Sequence, residues 1–354
     1  MSSPASRFRE VIEGLAPGMR VAILTQDNPD PDAMGAALGV SFLCRRLNPD
    51  LEEASIFYGG TISHPQNKTM VNVLGLPMRK MKTFEPENYN IVIVVDVAST
   101  GRKNLQSTDV KPDIIIDHHR DDPEGDYLLK DIRPIGAAST IVTSYLREYG
   151  LDLDTGGEDN SLDHISKVAT GLLVGIKTDT QELTSPNVTP LDFQCYEYLL
   201  KLCERKKLYQ IINFTIPHYL YQLKATAYKA LEIQHAVVVA GVGIIAPSQR
   251  DAIPIIADEL LRMEGIETVV VYAIVGDRIV SSLRTTNDGI EMNSFCHQVF
   301  GEEFSGGKMG CGGASVPLGF ITPDEHSTDK TRDSVWEAVR AVVNHRVFRV
   351  ASNG

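Results

Sequence analysis

Short apolar runs and helical patterns alternate along the first half of the chain. The apolar runs are rich in β-branched residues and predict strands; they are VAILT from residue 21, ASIFYG from 54, IVIVVDV from 91 and DIIIDHH from 113. Segments with a helical period lie between and after them, at 32–47, 66–74, 137–149 and 162–177. Strands that alternate with helices require crossover connections, so the pattern predicts an α/β fold with a mainly parallel sheet flanked by helices.

The pattern changes after residue 186. It is mostly helical as far as 232, and a second α/β unit then begins with the run HAVVVAGVGII. The remaining predicted elements are a helix over 250–263, a hairpin over 267–286 that turns at Gly276 and Asp277, a helix over 291–299, a glycine-rich loop and a final helix over 323–343. We therefore divide the chain into a first domain at 1–205, a linker helix region at 206–232 and a smaller second α/β domain at 233–354.

The composition narrows the class of protein. The 354 residues are 43% apolar and carry a formal net charge of −12, which argues against a protein that binds long duplex nucleic acid through a basic surface. The charge does not exclude a protein that binds a small phosphorylated ligand, or one whose carboxylates are neutralised by bound metal. No apolar stretch reaches the roughly 20 residues of a membrane span. The N-terminal segment has no apolar signal core and the five cysteines form no CxxC pair, so we expect a cytoplasmic protein with no membrane partner.

Carboxylates and imidazoles follow apolar runs at four places. They are Asp27, Asp30 and Asp32 after VAILTQ, Asp96 after IVIVV, Asp117, His118 and His119 after DIII, and Asp179 after TGLLVGIKT. The carboxyl ends of parallel strands meet at one edge of a sheet, where ligands bind. Carboxylates crowded there would repel one another, and a bound cation would remove that cost. Each residue alone is also explained by a turn or a helix cap, but the coincidence of four positions favours a metal site.

The spacing within the first group is typical of a site for two metal ions. Asp30 and Asp32 are alternate residues and could face different ions, while Asp96 on a neighbouring strand end could bridge ions about 3.5–4 Å apart. A ligand set that mixes carboxylate and imidazole suits Mn²⁺ better than Mg²⁺ or Ca²⁺. The sequence therefore predicts a site for two Mn²⁺ ions.

The ordered motifs DNPDPDA, an isolated Asp96, DHH at 117–119 and GIKTDT resemble the DHH phosphoesterase superfamily. The second half, with VSSLRT and GGKMGCGGASVPLG, resembles the DHH-associated domain of one branch, and the resemblance runs from about residue 18 to 319. That branch contains Mn²⁺-dependent exonucleases of short oligonucleotides (oligoribonucleases), phosphatases of 3′-phosphoadenosine-5′-phosphate, and phosphodiesterases of cyclic or linear dinucleotides. The resemblance implies a catalytic metal-binding domain at 1–205, a substrate-binding domain at 233–354 and an active site in the cleft between them.

The resemblance also implies roles for individual residues. Asp30 and Asp96 would hold one metal ion, and the other would be held by Asp32, Asp96, His118 and Asp179. A water between the two ions would be the nucleophile, because the ions lower its pKa. His119 would face the scissile phosphate, and Asp117 would orient the ring of His118.

Two positions depart from the family pattern. Gln26 stands where the family usually has a histidine that completes the first metal site, and an amide oxygen is a poorer Mn²⁺ ligand, so we expect that site to be weaker. Asp27 could compensate if the backbone turns it inward; otherwise it is a solvated turn residue. In the glycine-rich loop Lys308 replaces the family's histidine, and with Gly306 and Gly307 it would bind a phosphate without histidine's capacity for proton transfer. The alternative is a surface loop with a solvated lysine.

Four more residues are candidates for contacts with substrate. Arg284 lies where the family has a substrate-binding arginine, and its guanidinium suits a terminal phosphate. Ser282 could donate a hydrogen bond beside it. His64 and Asn67 lie where the family often lines the base or ribose pocket, although helix capping explains these residues equally well.

Together these observations predict a Mn²⁺-dependent phosphodiesterase that hydrolyses short oligonucleotides, or cyclic or linear dinucleotides, to mononucleotides. One alternative is a phosphatase that acts on bisphosphorylated nucleosides or on polyphosphate. Another is a nucleotide-binding protein with weakened catalysis, which the departures at Gln26 and Lys308 favour. Self-association is common in the family, so a homodimer is a further expectation.

Overall fold

The computed structural model describes residues 3–97, 110–119, 124–150, 161–308, 310–324 and 326–352, with the backbone alone at 161–164. It divides into two compact units, Met1–Thr215 and Ile216–Gly354. The strands are β1 Arg20–Leu24, β2 Glu53–Tyr58, β3 Met78–Lys80, β4 Ile91–Val95, β5 Ile114–Asp117, β6 Leu129–Ile132, β7 Leu231–Gln234, β8 Val237–Ile245, β9 Thr268–Val275, β10 Arg278–Thr285, β11 Ser305–Lys308 and β12 Cys311–Pro317. The α-helices are α1 Pro4–Glu13, α2 Pro31–Leu47, α3 Pro65–Leu74, α4 Ala138–Glu148, α5 Ser161–Asp179, α6 Pro190–Leu202, α7 Arg205–Ile212, α8 His218–Lys229, α9 Ala252–Leu260, α10 Met292–Phe300 and α11 Asp329–Ala351.

The first unit is built on a six-stranded sheet in the order β3-β2-β1-β4-β5-β6, and every neighbouring pair is parallel. The adjacent strands β1, β4 and β5 are buried along almost their whole length, which explains their continuous apolar runs. β3 and β6, which the sequence pattern did not predict, extend the sheet at its two ends. The mainly parallel sheet is confirmed, and the carboxyl ends of its strands lie side by side at one edge.

Small residues let α2 pack closely against two other helices of the first unit. A Cβ atom on Gly35 would lie 2.5 Å from the carbonyl oxygen of Gly171 on α5, and a Cβ on Gly39 would lie 2.6 Å from Val142 on α4. Neither contact leaves room for a side chain. This packing brings the N-termini of α2 and α4 together at the carboxyl edge of the sheet.

The second unit is a smaller α/β domain with a mixed sheet in the order β11-β12-β10-β9-β8-β7. β8 and β9 are parallel, whereas the other neighbouring pairs are antiparallel. α10 and α11 pack on one face of this sheet, and α8 and α9 pack on the other. The predicted hairpin is confirmed, because β9 ends at Val275, β10 begins at Arg278, and Gly276 in the turn has φ +61°.

Two secondary-structure predictions for the second unit are wrong. The glycine-rich segment is not a loop but the strand pair β11 and β12, whose glycines make room for a helix: a Cβ on Gly307 would lie 2.8 Å from the backbone of α10. The final helix begins at Asp329 rather than at 323, because Thr328 caps it by accepting a hydrogen bond from the N–H of Thr331. It then continues as far as Ala351.

The residues at 206–232, predicted as a linker, are divided between the two units. α7 packs on α3 and α5 in the first unit, and α8 packs on β8 and α9 in the second. Within the ranges described above, no helix is both long enough and apolar enough to cross a membrane.

Candidate metal centre

Two carboxylates after β1 are positioned by the N-termini of helices. Asp30 caps α2, since its Oδ1 accepts a hydrogen bond from the N–H of Ala33 at 2.9 Å. Asp32 is only 1% exposed, and its two oxygens accept hydrogen bonds from the N–H groups of Ala138 (2.7 Å) and Ser139 (2.8 Å) at the start of α4. The N–H groups at the starts of these two helices therefore hold both side chains in place.

Asp96 follows β4 with its backbone in the left-handed region, at φ +61°. Its N–H donates to the carbonyl oxygen of Ile116 on β5 at 2.9 Å, so the sheet holds this conformation. The side chain is 2% exposed, and its Oδ1 accepts no hydrogen bond from the described part of the chain. A strained backbone is often found at functional sites, and a buried carboxylate oxygen without a donor fits a metal ligand.

The ring of His118 is oriented as a metal ligand would be. Its Nδ1 lies 3.1 Å from the carbonyl oxygen of Ile135, and because a carbonyl can only accept, Nδ1 carries the proton. Its Nε2 lies 3.3 Å from Oδ1 of Asp96 and 3.3 Å from Oδ2 of Asp179. Burial alone would lower the pKa of His118, but the close contact with Asp96 and the charges of Asp32, Asp96 and Asp179 together raise it to about 10. A proton and a metal ion would therefore compete for Nε2.

Asp117 orients the ring of His119, and not that of His118 as predicted. Its Oδ1 accepts hydrogen bonds from Nδ1 of His119 at 2.8 Å and from the N–H groups of both histidines, at 2.7 and 3.2 Å. The reason is the alternation of an extended chain: residues two apart share a side, so the ring at 119 returns to Asp117 while the ring at 118 turns to Ile135. The side chain of His119 stays 43% exposed.

The carboxylates of this cluster raise one another's pKa. Burial, followed by the charge of Asp32, raises the pKa of Asp30. Burial, followed by the charge of Asp30, raises the pKa of Asp96 well above its usual range. Burial and the charge of Asp32 raise the pKa of Asp179 to about 7. So many negative groups in a buried place are costly without a cation, and a divalent ion would remove the repulsion.

Two sets of side chains in the described ranges could each hold a metal ion, with ligand atoms that all lie within 4.8 Å of one another. One set is Asp96, Asp117, His118 and His119, and the other is Asp32, His118 and Asp179. The second set contains three of the four residues predicted for the second ion. Its carboxylate oxygens and single imidazole nitrogen are the ligand types that suit Mn²⁺. The residues present therefore fit a divalent metal ion.

Gln26 lies beside the carboxylates predicted for the first ion, whereas Asp27 turns elsewhere. Nε2 of Gln26 donates to Oδ2 of Asp30 at 3.3 Å and to Oδ2 of Asp96 at 3.5 Å. The carboxylate of Asp27 packs against Gly59 after β2, and Asp27 belongs to neither of the two ligand sets. The amide of Gln26 would have to turn over to present its oxygen to an ion.

The predicted substrate residues of the second unit form two rows on one face of its sheet. Strand register places Arg284, Cys311 and Lys308 side by side in one row, and Ser282, Gly313 and Gly306 in the next. Gly307 lies between these rows in sequence and therefore faces the other side, where its N–H donates to Oδ1 of Asn293 at 3.0 Å. The sheet thus groups Arg284, Lys308, Ser282 and Gly306 and separates Gly307 from them.

Arg284 already has a carboxylate partner. Its Nε donates to Oδ1 of Asp258 on α9 at 2.5 Å, and its Nη1 donates to Oγ of Ser282 at 2.8 Å. Ser282 is buried, whereas Lys308 is exposed at the end of β11. The two cations therefore differ: one is held by hydrogen bonds and the other projects into solvent.

His64 and Asn67 make structural contacts at the start of α3. Nδ1 of His64 accepts a hydrogen bond from the N–H of Gln66 at 3.2 Å, so His64 caps the helix. Asn67 is buried, and its Nδ2 donates to the carbonyl oxygen of Pro29 at 3.1 Å. This bond braces the turn that carries Asp30, so these contacts favour the capping explanation over a base or ribose pocket.

The sequence analysis missed the groups that hold the ligands in position. The carbonyl of Ile135 and the N–H groups of Ala138 and Ser139 belong to one short segment before and within the first turn of α4. A buried carboxylate, Asp192, binds that segment from α6. The letters TPLD at 189–192 signal a helix start, but they do not show that Asp192 reaches beyond its own helix.

Most of the first unit matches a known protein family. A family model described as the DHH family, N-terminal domain, matches residues 20–176. An uncharacterized protein of Methanocaldococcus jannaschii is 34% identical over 324 residues, which are 91% of this chain and 63% of that protein. A probable manganese-dependent inorganic pyrophosphatase of Streptococcus thermophilus is 26% identical over 52% of this chain and 55% of its own length. The chain thus spans less than two thirds of the length of either relative.

A solved structure supports the fold as well. The exopolyphosphatase-related protein of Bacteroides fragilis superposes with a TM-score of 0.68 over 96% of this chain and 97% of that one, at 14% identity, which shows a shared fold. The matched range 20–176 includes the carboxylates after β1 and β4 and the Asp-His-His triplet at the end of β5, and Asp179 follows it closely. Residues 20–176 of this chain therefore match the N-terminal domain of the DHH family.

Proposed function

We propose that this chain is a metal-dependent phosphoesterase that hydrolyses short oligonucleotides, or cyclic or linear dinucleotides, to mononucleotides. The observation that carries the proposal is the meeting of Asp32, Asp96, His118 and Asp179 at the carboxyl edge of the first sheet. Such a cluster of buried carboxylates with one correctly oriented imidazole suits metal-assisted hydrolysis of a phosphoester. The match of residues 20–176 to the N-terminal domain of the DHH family supports the same reaction class.

The proposed cofactor is Mn²⁺, with two ions per chain. Asp30 and Asp96 would hold one ion beside Gln26, and the other would be held by Asp32, Asp96, His118 and Asp179. Bound ions would lower the pKa of a water molecule and neutralise charge on the phosphate. The ligand types support manganese, and so does the name of the manganese-dependent pyrophosphatase from Streptococcus thermophilus.

His119 would act on the substrate. Asp117 accepts the proton of Nδ1, so the ring presents Nε2 as its second nitrogen, and the side chain is 43% exposed. A phosphate oxygen could therefore reach His119 without displacing a buried group. Asp117, which is fully buried, fixes the tautomer of that ring and does not itself contact the substrate.

The sheet of the second unit would bind the phosphate end of the substrate. Arg284 and Lys308 lie in one row of that face, and the next row contains Gly306 and Gly313, which have no side chains to cover the strands. Arg284 is bonded to Asp258, so a phosphate would share or replace that carboxylate. Two cations suit a short anion, while the net charge of −12 disfavours a long one.

A second candidate is hydrolysis of a phosphoanhydride bond, in pyrophosphate or polyphosphate, or release of phosphate from a bisphosphorylated nucleoside. The 26% identity with the Streptococcus pyrophosphatase over about half of this chain favours it. This reaction would use the same carboxylates and His118, and it would not need nucleoside contacts.

A substrate panel distinguishes these candidates. The purified chain is stripped of metal with EDTA, supplied with Mn²⁺, and incubated separately with a linear dinucleotide, a cyclic dinucleotide, a short oligoribonucleotide, bisphosphorylated adenosine, pyrophosphate and polyphosphate. We expect mononucleotides from the linear dinucleotide and no inorganic phosphate. Release of phosphate from pyrophosphate, polyphosphate or bisphosphorylated adenosine, with dinucleotides intact, would support the second candidate. Tight nucleotide binding without any product would contradict both.

A further inference from the structure

One short segment, residues 135–140, holds two of the proposed metal ligands through hydrogen bonds from its backbone. The carbonyl oxygen of Ile135 accepts the proton of Nδ1 of His118, and the N–H groups of Ala138 and Ser139 donate to the two oxygens of Asp32. These ligands come from different parts of the chain, since His118 directly follows β5 and Asp32 lies in the first turn of α2. Any shift of the segment would therefore move or release both ligands at once.

The segment is held in turn by Asp192, in the first turn of α6. Asp192 is completely buried, and its carboxylate accepts four hydrogen bonds. Two come from the segment, from the N–H of Gly136 to Oδ2 at 3.2 Å and from Oγ1 of Thr140 to Oδ1 at 2.5 Å. The other two come from the N–H and Oγ1 of Thr189, each at 2.7 Å to Oδ2.

The contact between Asp192 and Gly136 requires a residue without a side chain at position 136. A Cβ on Gly136 would lie 2.8 Å from the carboxylate of Asp192 and 2.6 Å from the methyl group of Thr180. Thr180 directly follows Asp179, a third proposed ligand. The segment is thus pressed between α6 and the end of α5, and it has little freedom to move.

Capping of α6 explains only part of these contacts. A capping box needs the bond from the N–H of Thr189 to the carboxylate three residues later, and it needs nothing from another helix. The bonds from Gly136 and Thr140 cross 56 and 52 residues of sequence. A carboxylate accepts at both oxygens, so it can satisfy these donors and the cap together, whereas an amide has a single accepting oxygen.

We propose that Asp192 is a positioning residue of the metal centre, which fixes Asp32 and His118 through the segment at 135–140. The inference rests on the proposed function, because it assumes that Asp32 and His118 bind the metal. Groups that orient metal ligands typically change metal affinity by about 10–100-fold when they are removed. Asp192 therefore affects metal binding although its described hydrogen bonds reach no proposed ligand directly.

The test compares Asp192→Asn with Thr189→Ala. The first variant replaces one accepting oxygen by a donor, while the second weakens the cap of α6 and keeps the bonds from Gly136 and Thr140. Both should lower the unfolding temperature of the metal-free chain. We expect Asp192→Asn to weaken Mn²⁺ binding, measured by titration calorimetry, by about tenfold or more. Thr189→Ala should leave it within about twofold of the wild type.

Equal Mn²⁺ affinities in Asp192→Asn and the wild type would overturn the proposal. The proposal would also be overturned if both variants lost the same Mn²⁺ affinity and the same stability, because loss of the α6 cap alone would explain that result. If Asp192→Asn does not fold, Thr140→Val removes one of its bonds to the segment and should weaken Mn²⁺ binding by several-fold. Unchanged affinity in that variant would likewise overturn the proposal.

A metal-free measurement separates failure of this inference from failure of the proposed function. If the wild type itself binds no Mn²⁺, the proposed function is wrong. The role of Asp192 is then decided by amide hydrogen exchange at Ala138 and Ser139, whose N–H groups bind Asp32. We expect these two amides to exchange at least about tenfold faster in Asp192→Asn than in Thr189→Ala. Equal exchange rates would overturn the positioning role.

Discussion

The substitution Asp179→Asn should make the metal-free protein more stable. Asp179 ends α5 with its side chain one-third exposed, and its Oδ2 lies 3.3 Å from Nε2 of His118. Burial and the charge of Asp32 raise its pKa from the ordinary value of 3.8 to about 7. A carboxyl whose pKa is raised on folding favours the folded state below the unfolded pKa. That contribution is lost as the pH rises from about 4 to about 7, so the wild type is penalised at neutral pH.

The size of the effect follows from the same shift. One pKa unit corresponds to about 1.4 kcal/mol, so a shift of about three units gives a ceiling of about 4 kcal/mol at neutral pH. Because a third of the side chain is exposed, solvent screening reduces this to about 2 kcal/mol. For a unit of about 200 residues that is a rise of about 4–8 °C in unfolding temperature. An asparagine there keeps the shape and removes the charge.

With Mn²⁺ bound, the wild type should become more stable than Asp179→Asn. At a concentration one hundred times the dissociation constant, a bound ion stabilises the folded state by about 2.7 kcal/mol, and the variant lacks one proposed ligand. The assay is thermal unfolding of both chains at pH 7.5, with EDTA and with MnCl₂, and Asp50→Asn, an exposed position beyond the other end of α2, is the matched control. Equal stabilisation of wild type and Asp179→Asn by Mn²⁺, or a metal-free variant less stable than the wild type, would refute the reasoning.

Two further predictions concern other positions. Gln26→His places an imidazole beside the carboxylates of Asp30 and Asp96, which are the proposed ligands of the weaker metal site. It should tighten Mn²⁺ binding at that site by about tenfold, measured by titration calorimetry. Unchanged affinity would exclude position 26 from that site. Burial alone would raise the pKa of Glu53, but hydrogen bonds from Ser55, Tyr89 and Arg20 lower it to about 2. Glu53→Gln should therefore reduce the free energy of unfolding by about 1 kcal/mol above pH 4.5, measured with urea, and the difference should fade as the pH falls towards 2. A difference that is constant over that range would contradict this account.

The chemistry of the site was predictable because its groups follow apolar strands directly. Asp30, Asp96 and His118 come from separate parts of the chain, but a parallel sheet brings the carboxyl ends of its strands to one edge. The hydrogen-bond partners of the His118 and His119 rings were not predictable in this way. Asp117 binds His119 instead of His118, because that choice depends on which side of β5 each residue faces where the strand ends.

The parts that could not be predicted depend on contacts between distant residues. The sequence around Asp192 indicates only the start of a helix. Its hydrogen bonds to the segment at 135–140, more than fifty residues earlier, exist only in the folded chain. The strands β11 and β12 could not be predicted because they contain glycines, and glycine is disfavoured in strands unless a neighbouring element approaches closely. Here α10 is that neighbour, and at Gly312 a Cβ would overlap Cys296. Pro323 suggested a helix start, but the effective cap is Thr328.

Hydrolysis by an Asp96→Asn variant tests the central claim most directly. Asp96 is shared by both proposed metal sites, and asparagine tolerates the left-handed backbone at φ +61°, so the variant changes the charge and keeps the conformation. The measurement is the initial rate of mononucleotide release from a linear dinucleotide by wild type and variant, both at saturating Mn²⁺ and both shown to be folded by circular dichroism. We expect activity in the wild type that EDTA abolishes, and no detectable product from the variant. A variant as active as the wild type would contradict the account.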